Sequence, residues 1–221
     1  MPLPEDLKLE IDSLIIHLIE IGLCEGQNFP SDREVDNGIF EVGLSSKLHS
    51  SFPLKDVEYW DVYSELRERN VYNIRMLDGA LLILYYLVTA QDVLKHRLAF
   101  FPSPILDRFE TDPEKYLEDE LYADIVDKRI VPFPIRFDYT SSTAYDVPLG
   151  HPDCHLTLGQ YSGCRIPVSA PLTPIKFVEF IIQHFYNSAF GCYWARPVGR
   201  ARGFQPCLVN DDLEAIHVVV P

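Results

Sequence analysis

The side chains most able to do chemistry lie in the second half of the chain, on alternating positions of predicted β-strands. In one strand, Arg136 and Asp138 alternate with large apolar residues. In the next strand, His155 and Thr157 alternate with apolar residues in the same way. Because successive side chains of a strand point to opposite faces of a sheet, each of these strands presents one polar face and one apolar face.

A third predicted strand, over residues 164–168, places Arg165 opposite to its apolar neighbours. If the three strands pair in chain order with their apolar faces aligned, a carboxylate, an imidazole, a hydroxyl and two guanidinium groups lie on one side of the sheet. Such a set can orient a histidine as a general base and hold an anionic substrate or intermediate. The alternative is a structural network of ion pairs and hydrogen bonds. The candidate catalytic residues are His155, Asp138, Thr157, Arg165 and Arg136.

Two phosphoester-cleaving alternatives use the same stretch. A two-histidine phosphoesterase carries the pattern His-x-Thr/Ser-x on two strands, and residues 155–158 match one copy. His49 and Ser51 offer the only second copy, in a weak strand context. A metal-dependent nuclease would combine Asp138 with other acids. No Glu-x-Lys follows at the usual distance, and the negative net charge of the chain opposes the binding of nucleic-acid phosphates.

The histidines and cysteines of the same stretch do not predict a metal site. His151, Cys154, His155 and Cys164 are residue types that bind zinc. However, Cys154 and His155 are consecutive in a strand and therefore point to opposite faces. A Cys164 nucleophile beside His155 meets the same difficulty. The residues identify no cofactor.

Composition limits the classes of function. The 221 residues are 47% apolar, which is enough for a proper core and argues against global disorder. Lys+Arg 19 against Asp+Glu 33 gives a net charge of -14, which repels nucleic acid and anionic membrane. Nucleic acid binding is therefore not expected except through a local basic loop. The one basic segment, 195–204, contains Arg196, Arg200 and Arg202 and is predicted to be either an exposed loop or a contact for an anion or a partner.

The cysteines and the start of the chain predict a cytoplasmic protein. The five cysteines are odd in number, and no basic segment followed by an apolar run marks a signal peptide. The longest apolar run, 80–88, is much shorter than the roughly 20 residues of a membrane span. Free thiols in a reducing compartment, and no association with a membrane, are the expected setting.

Hydrophobic periodicity predicts the elements that position the candidate residues. Apolar residues at three- and four-residue steps predict helices over 5–23 and 56–69. Residues 24–37 are polar and are predicted to form a loop. Asp78-Gly79 separates two strand-like runs, which predicts a β-hairpin with a type I′ turn. Thr173-Pro174 is typical of the start of a helix.

The predicted fold class is α+β, with a mostly antiparallel sheet of about six to eight strands and helices packed mainly on one face. Residues 1–221 are predicted to form a single domain. It comprises an N-terminal helix and meander over 1–101, an acidic helix over 105–129, and C-terminal strands, a hairpin and a helix over 131–221. The meander is centred on 80–88, which is apolar on both faces.

Three segments resemble a known bacterial family, domain of unknown function 2290. They are residues 131–139 (VPFPIRFDY), 151–174 (HPDCHLTLGQYSGCRIPVSAPLTP) and 180–186 (FIIQHFY). The resemblance extends upstream to the acidic helix around 116–126 and loosely over most of the chain. It implies a bacterial cytosolic protein and a setting in defence or toxin–antitoxin gene clusters. The family has no established activity, so the resemblance assigns no catalytic residue.

Two classes of function follow from the sequence. The first is a non-catalytic binding or accessory protein of a bacterial cytosolic system, such as a defence or toxin–antitoxin assembly, with a protein partner or a homo-oligomer. The acidic charge, the lack of a complete catalytic motif and the basic segment favour this class. The second is a small hydrolase, phosphoesterase or nuclease that uses the His155, Asp138 and arginine side chains.

Overall fold

The structure is a computed structural model of the chain. It describes residues 3–44, 57–105, 132–142, 145, 151–161, 163–194 and 203–221. The predicted acidic helix over 105–129 lies, apart from its first residue, outside the described residues. The basic side chains Arg196, Arg200 and Arg202 also lie outside them.

A large sheet forms the centre of the described structure, and its strands pair antiparallel to one another. The main strand order is β1-β4-β5-β6-β7-β8-β9, while β3 pairs with β5 and carries β2 on its other side. The fold class α+β is therefore confirmed, with nine strands among the described residues. The strands are β1 (Cys24–Gln27), β2 (Ser31–Asp36), β3 (Ile39–Gly43), β4 (Ile74–Met76), β5 (Leu81–Val88), β6 (Val93–Phe101), β7 (Ile135–Thr140), β8 (Cys154–Leu158) and β9 (Ile166–Pro167).

Helices cover both faces of this sheet. Leu82, Leu84 and Tyr86 of β5 join the larger core, which includes the apolar stripes of α1 and α3. Leu81 and Ile83 point the other way and pack with α2 in a second cluster. The burial of both faces confirms β5 as a central strand. The helices of the described residues are α1 (Leu3–Glu20), α2 (Tyr59–Glu68), α3 (Pro174–Phe185), α4 (Asn187–Tyr193) and α5 (Asn210–Glu214).

The hairpin between β4 and β5 is confirmed, but its predicted turn type is wrong. The backbone N–H of Gly79 donates to the Met76 carbonyl at 2.9 Å, and the Met76 N–H donates to the Ala80 carbonyl at 2.7 Å. Gly79 has a φ of 89°, whereas Asp78 is not left-handed. A type I′ turn needs positive φ at both central residues, so this is instead a three-residue loop with its glycine in the left-handed region.

The predicted loop over 24–37 is also wrong, because the segment contains β1 and β2. β1 pairs with β4, with Gln27 opposite Ile74. All six residues of β2 are exposed, and the strand pairs only with β3. Exposed charged side chains are common on edge strands, where they discourage pairing with other chains. The segment lacks apolar alternation, yet β1 is held by backbone hydrogen bonds to the distant β4, and β2 forms a hairpin with β3 across Asn37-Gly38.

Helix α1 is connected to α3 by a buried carboxylate. Glu10 is 1% exposed, and its Oε1 accepts a hydrogen bond from the backbone N–H of Ile175 at 2.9 Å. Thr173 caps the same helix by accepting from the Lys176 N–H, which confirms the predicted helix start. The first-turn N–H groups of a helix lack intrahelical partners, so both contacts satisfy donors that would otherwise be unpaired.

Candidate functional site

The pairing of β7 with β8 brings four of the predicted site residues together. Asp138 lies opposite His155, and Arg136 lies opposite Thr157. Phe137 lies opposite Leu156 on the other face, within the larger core. The predicted strand pairing with aligned apolar faces is therefore confirmed for these two strands. With Arg97 of β6, which lies opposite Asp138 on its other side, Arg136, Asp138, His155 and Thr157 form what we call the polar face.

Arg165 is close to the polar face but is not part of the third strand. β9 contains only Ile166–Pro167, so the predicted strand over 164–168 is shorter than expected. Pro167 lies opposite His155. Arg165 is exposed; burial is the main cause that lowers the pKa of His155, and the charge of Arg165 adds to it. The fifth predicted site residue thus acts on the polar face by its electric field.

Asp138 is held by two arginines. Its Oδ1 accepts a hydrogen bond from Arg97 Nε at 2.8 Å, and its Oδ2 lies 3.6 Å from Arg136 Nη1. Burial alone would raise the pKa of Asp138, but the charges of Arg97 and Arg136 outweigh burial and hold that pKa below its usual value. Sequence reasoning missed Arg97, although its alternation with apolar residues in β6 placed it on the same kind of polar strand face.

The Nδ1 atom of the His155 ring faces a backbone carbonyl oxygen. Its Nδ1 lies 3.3 Å from the Pro152 carbonyl oxygen, and the Nδ1 of His151 lies 3.0 Å from the same oxygen. The two imidazole rings pack edge to face with centroids 4.8 Å apart. Burial lowers the pKa of His155, and the neighbouring Asp138 only partly offsets this. His155 is therefore a buried, neutral imidazole at pH 7.

Arg136 is the least satisfied group of the polar face. Its side chain is 16% exposed, and its Nε is buried without a hydrogen-bond partner. Burial lowers the pKa of the guanidinium, Asp138 raises it, and the nearby charge of Arg97 lowers it further. A buried donor that lacks an acceptor costs about 1–3 kcal/mol, so this arrangement needs an explanation.

A second polar group continues from the polar face toward β2. The Tyr85 hydroxyl donates to Glu41 Oε1 at 3.2 Å, and Arg33 Nη2 lies 3.0 Å from Glu41 Oε2. Tyr85 lies opposite Arg97 in the sheet, so this group adjoins the polar face. Sequence reasoning missed Glu41, because one acid in a short strand gives no signal of its own.

Comparison with known proteins places the chain in a protein family. The family model described as "Uncharacterized conserved protein (DUF2290)" matches residues 23–220. The chain belongs to this family. The resemblance found in the sequence is thereby confirmed. No curated protein and no solved structure matches the chain.

The cysteines of this DUF2290 member are free, and two of them meet. Cys154 is buried on the apolar face of β8, opposite in direction to His155. Its thiol donates to the Ala170 carbonyl at 3.5 Å, the Cys207 thiol donates to the Val168 carbonyl at 3.8 Å, and the neighbouring Cys154 thiol lowers the pKa of Cys207. Within the described residues, no group of three or more His, Cys, Asp or Glu side chains comes together as a metal site. His49, needed by the two-histidine alternative, lies outside the described residues.

Asp78, which the sequence indicates only as a turn residue, is a half-buried carboxylate. Both of its oxygens accept hydrogen bonds from the Tyr186 hydroxyl, at 3.0 and 2.9 Å, and Oδ1 also accepts from the Ala80 N–H at 3.0 Å. Burial raises its pKa. It lines a cavity of about 180 Å³ with Tyr63 and Arg75. These hydrogen bonds connect the end of α3 to the β4–β5 hairpin, which gives the half-buried carboxylate a structural role.

The larger of the two described cavities lies elsewhere, at the start of α1. Its volume is about 700 Å³, and its lining includes Asp6, Asp92, Tyr139 and Phe204. Tyr139 is on the apolar face of β7, so this cavity and the polar face lie on opposite sides of the sheet. Over the described residues, no helix combines the length and the hydropathy that a membrane span requires.

Proposed function

We propose that this DUF2290 member is a non-catalytic binding protein of a bacterial cytosolic assembly, and that its C-terminal segment docks on a protein partner. The observation that carries the proposal is an ordered segment with large apolar side chains in solvent. Ile216 is 93% exposed, and the side chains of Val209, Leu213 and Val219 are each more than half exposed.

Backbone hydrogen bonds anchor this segment to the edge of the sheet. Val218 forms a parallel bridge with Val168. The Ser169 N–H donates to the Val218 carbonyl at 2.8 Å, and the Val218 N–H donates to the Pro167 carbonyl at 2.9 Å. Fixing the backbone costs conformational entropy, and while Val218 and Val220 pack against the core in return, Ile216 and Val219 remain mostly exposed. Several large exposed apolar side chains in one ordered segment are typical of a protein–protein interface.

The charge of the chain favours a different protein over a second copy. The net charge of -14 would be doubled if two copies met, and like charges across an interface disfavour association. Glu214, also exposed, lies within the segment. The expected partner therefore presents an apolar patch bordered by lysine or arginine. A defence or toxin–antitoxin assembly is a setting that the family resemblance suggests for such a pair.

The polar face supports a non-catalytic role. In an Asp–His catalytic pair, the carboxylate accepts the Nδ1 proton of the histidine and orients the ring. Here the Asp138 carboxylate is taken by Arg97, and His155 Nδ1 faces the Pro152 carbonyl. The His155 ring is thus oriented by a backbone carbonyl, and the Asp138 carboxylate is a counterion for Arg97 and Arg136.

Capture with matched variants tests the docking proposal. A tagged wild-type chain is expected to retain a partner from its native host, and the purified partner is expected to rebind the purified chain. The double variant L213D/I216D should weaken that reconstituted complex by about tenfold or more, since it places charge in the centre of the apolar contact. Val35→Asp on β2, where Val35 is 43% exposed, is the matched control. Equal binding by wild type and L213D/I216D would refute the proposal.

A small hydrolase or phosphoesterase is the second candidate, favoured by the placement of Asp138 opposite His155 and of Arg136 opposite Thr157. Its test is turnover of phosphate mono- and diesters and of carboxylic esters by the wild type and by His155→Ala. Turnover that is lost in His155→Ala, while the far-UV circular dichroism is unchanged, would replace the binding proposal with the hydrolase. Equal turnover in both proteins would instead indicate a contaminant.

A further inference from the structure

Positive charge is in excess around the single carboxylate of the polar face. Arg97 and Arg136 both approach Asp138, at 2.8 and 3.6 Å. Arg165 lies near enough to His155 to act on it electrostatically. Asp138 neutralises one of these three guanidinium groups, and within the described residues the polar face offers no second carboxylate for the other two. In a chain with a net charge of -14, this local excess is opposite in sign to the whole.

Arg136 lacks the acceptor that its position demands. Its Nε is buried without a hydrogen-bond partner, and its contact with Asp138 exceeds hydrogen-bond length. A guanidinium group presents its N–H donors in a planar fork that matches the oxygens of a carboxylate or phosphate. A ligand oxygen at this fork would satisfy the donor that the described residues leave unpaired.

The other polar groups complete a set suited to a tetrahedral anion. Thr157 lies directly opposite Arg136 and supplies a hydroxyl. His155 and His151 direct Nδ1 to the same Pro152 carbonyl. With Nδ1 of His155 so occupied, a proton taken up by the His155 ring adds at Nε2, which then becomes a further donor to an anion.

We infer that the polar face, together with Arg165, is a binding site for a phosphoryl group, either free phosphate or the phosphate of a small ester. Two uncompensated positive charges match a dianion, whereas a single carboxylate would offset only one of them. Arg136 contacts the phosphoryl oxygens, and Arg97 positions Asp138 and adds positive charge. This site goes beyond the proposed docking segment and involves different residues.

The test is a calorimetric titration of the full chain with inorganic phosphate, with sodium chloride at matched ionic strength as the blank. Phenyl phosphate and a phosphate diester are titrated in parallel to distinguish free phosphate from a small ester. Arg136→Gln is expected to weaken phosphate binding by about tenfold or more, because the fork and its charge are both lost. Arg136→Lys keeps the charge but not the planar fork, so its phosphate affinity should lie between those of wild type and Arg136→Gln. Arg33→Gln, on an exposed arginine paired with Glu41, should bind like wild type.

Failure of the phosphoryl site and failure of the docking segment give different results. Heats equal to the chloride blank for all three ligands, or equal phosphate affinity of wild type and Arg136→Gln, would overturn the phosphoryl site. Circular dichroism of each variant shows whether the loss of affinity comes from unfolding, and a folded Arg136→Lys with reduced affinity supports the site even if Arg136→Gln does not fold. Loss of partner capture in L213D/I216D with phosphate affinity intact would show that the two sites are independent.

Discussion

His96 makes acid stability a quantitative test of the buried core. The imidazole is fully buried in β6; its Nδ1 lies 3.2 Å from the Phe137 carbonyl, and its Nε2 accepts from the Leu172 N–H at 3.2 Å. One nitrogen must donate and the other must accept, so this pair of contacts requires the neutral ring. Burial lowers the pKa of His96 to about 4, and Asp138 only partly offsets that effect.

The direction of the pH dependence of stability follows from the pKa values of His96 in the unfolded and folded chain. The unfolded chain protonates this histidine near 6.5, whereas the folded chain resists protonation down to about 4. The stabilisation is therefore complete above pH 6.5 and is lost as the pH falls toward 4. At about 1.36 kcal/mol per unit, the full loss is about 3.4 kcal/mol, of which about 1.3 kcal/mol falls between pH 7.5 and pH 5.5.

Urea denaturation at pH 7.5 and pH 5.5 measures this effect in the wild type and in His96→Gln. The glutamine keeps an acceptor for Leu172 but does not titrate. It should cost about 1–3 kcal/mol at pH 7.5 through the lost donor to Phe137. The variant should also lose about 1.3 kcal/mol less than wild type between the two pH values. Other histidines with lowered pKa values, such as His155, contribute equally to both proteins.

Tyr86→Phe is the matched control. The Tyr86 hydroxyl donates to the Leu172 carbonyl at 2.8 Å, on the same segment that His96 holds. Its loss should lower the free energy of unfolding by about 1 kcal/mol at both pH values while keeping the wild-type pH dependence. If wild type and His96→Gln lose the same stability between pH 7.5 and pH 5.5, the assignment of a buried neutral His96 is refuted.

Two further predictions concern other buried contacts. Glu10→Gln should lower the free energy of unfolding by about 1–2 kcal/mol in urea, since it removes a buried carboxylate from the N–H of Ile175 at the positive end of α3; unchanged stability would show that the charge contributes nothing. Cys154→Ala should slow alkylation of Cys207 by iodoacetamide at pH 7.5, followed by mass spectrometry, because the thiol that lowers the pKa of Cys207 is removed. An unchanged rate at Cys207 would contradict the thiol–thiol contact.

The sequence by itself determined which face each strand residue occupies. Apolar alternation in β6, β7 and β8 was sufficient to separate Cys154 from His155 and to place Asp138 and His155 on one side. Asp78-Gly79 and Thr173-Pro174 marked a hairpin and a helix start, because local backbone preferences act within a few residues. These features depend on local periodicity and conformation, which the order of residues encodes directly.

Only the tertiary structure decided which groups meet. Alternation places Asp138 on a polar face, but the neighbour that takes its carboxylate is Arg97, which lies 41 positions away in the chain. The same holds for Glu10, whose partner Ile175 is 165 positions away. Within 24–37, β1 exists because the distant β4 supplies its hydrogen bonds, whereas β2 forms a hairpin with β3 across the turn at Asn37-Gly38. Periodicity specifies the direction of a side chain, whereas strand order and helix packing specify its partner, which for Asp138 is Arg97.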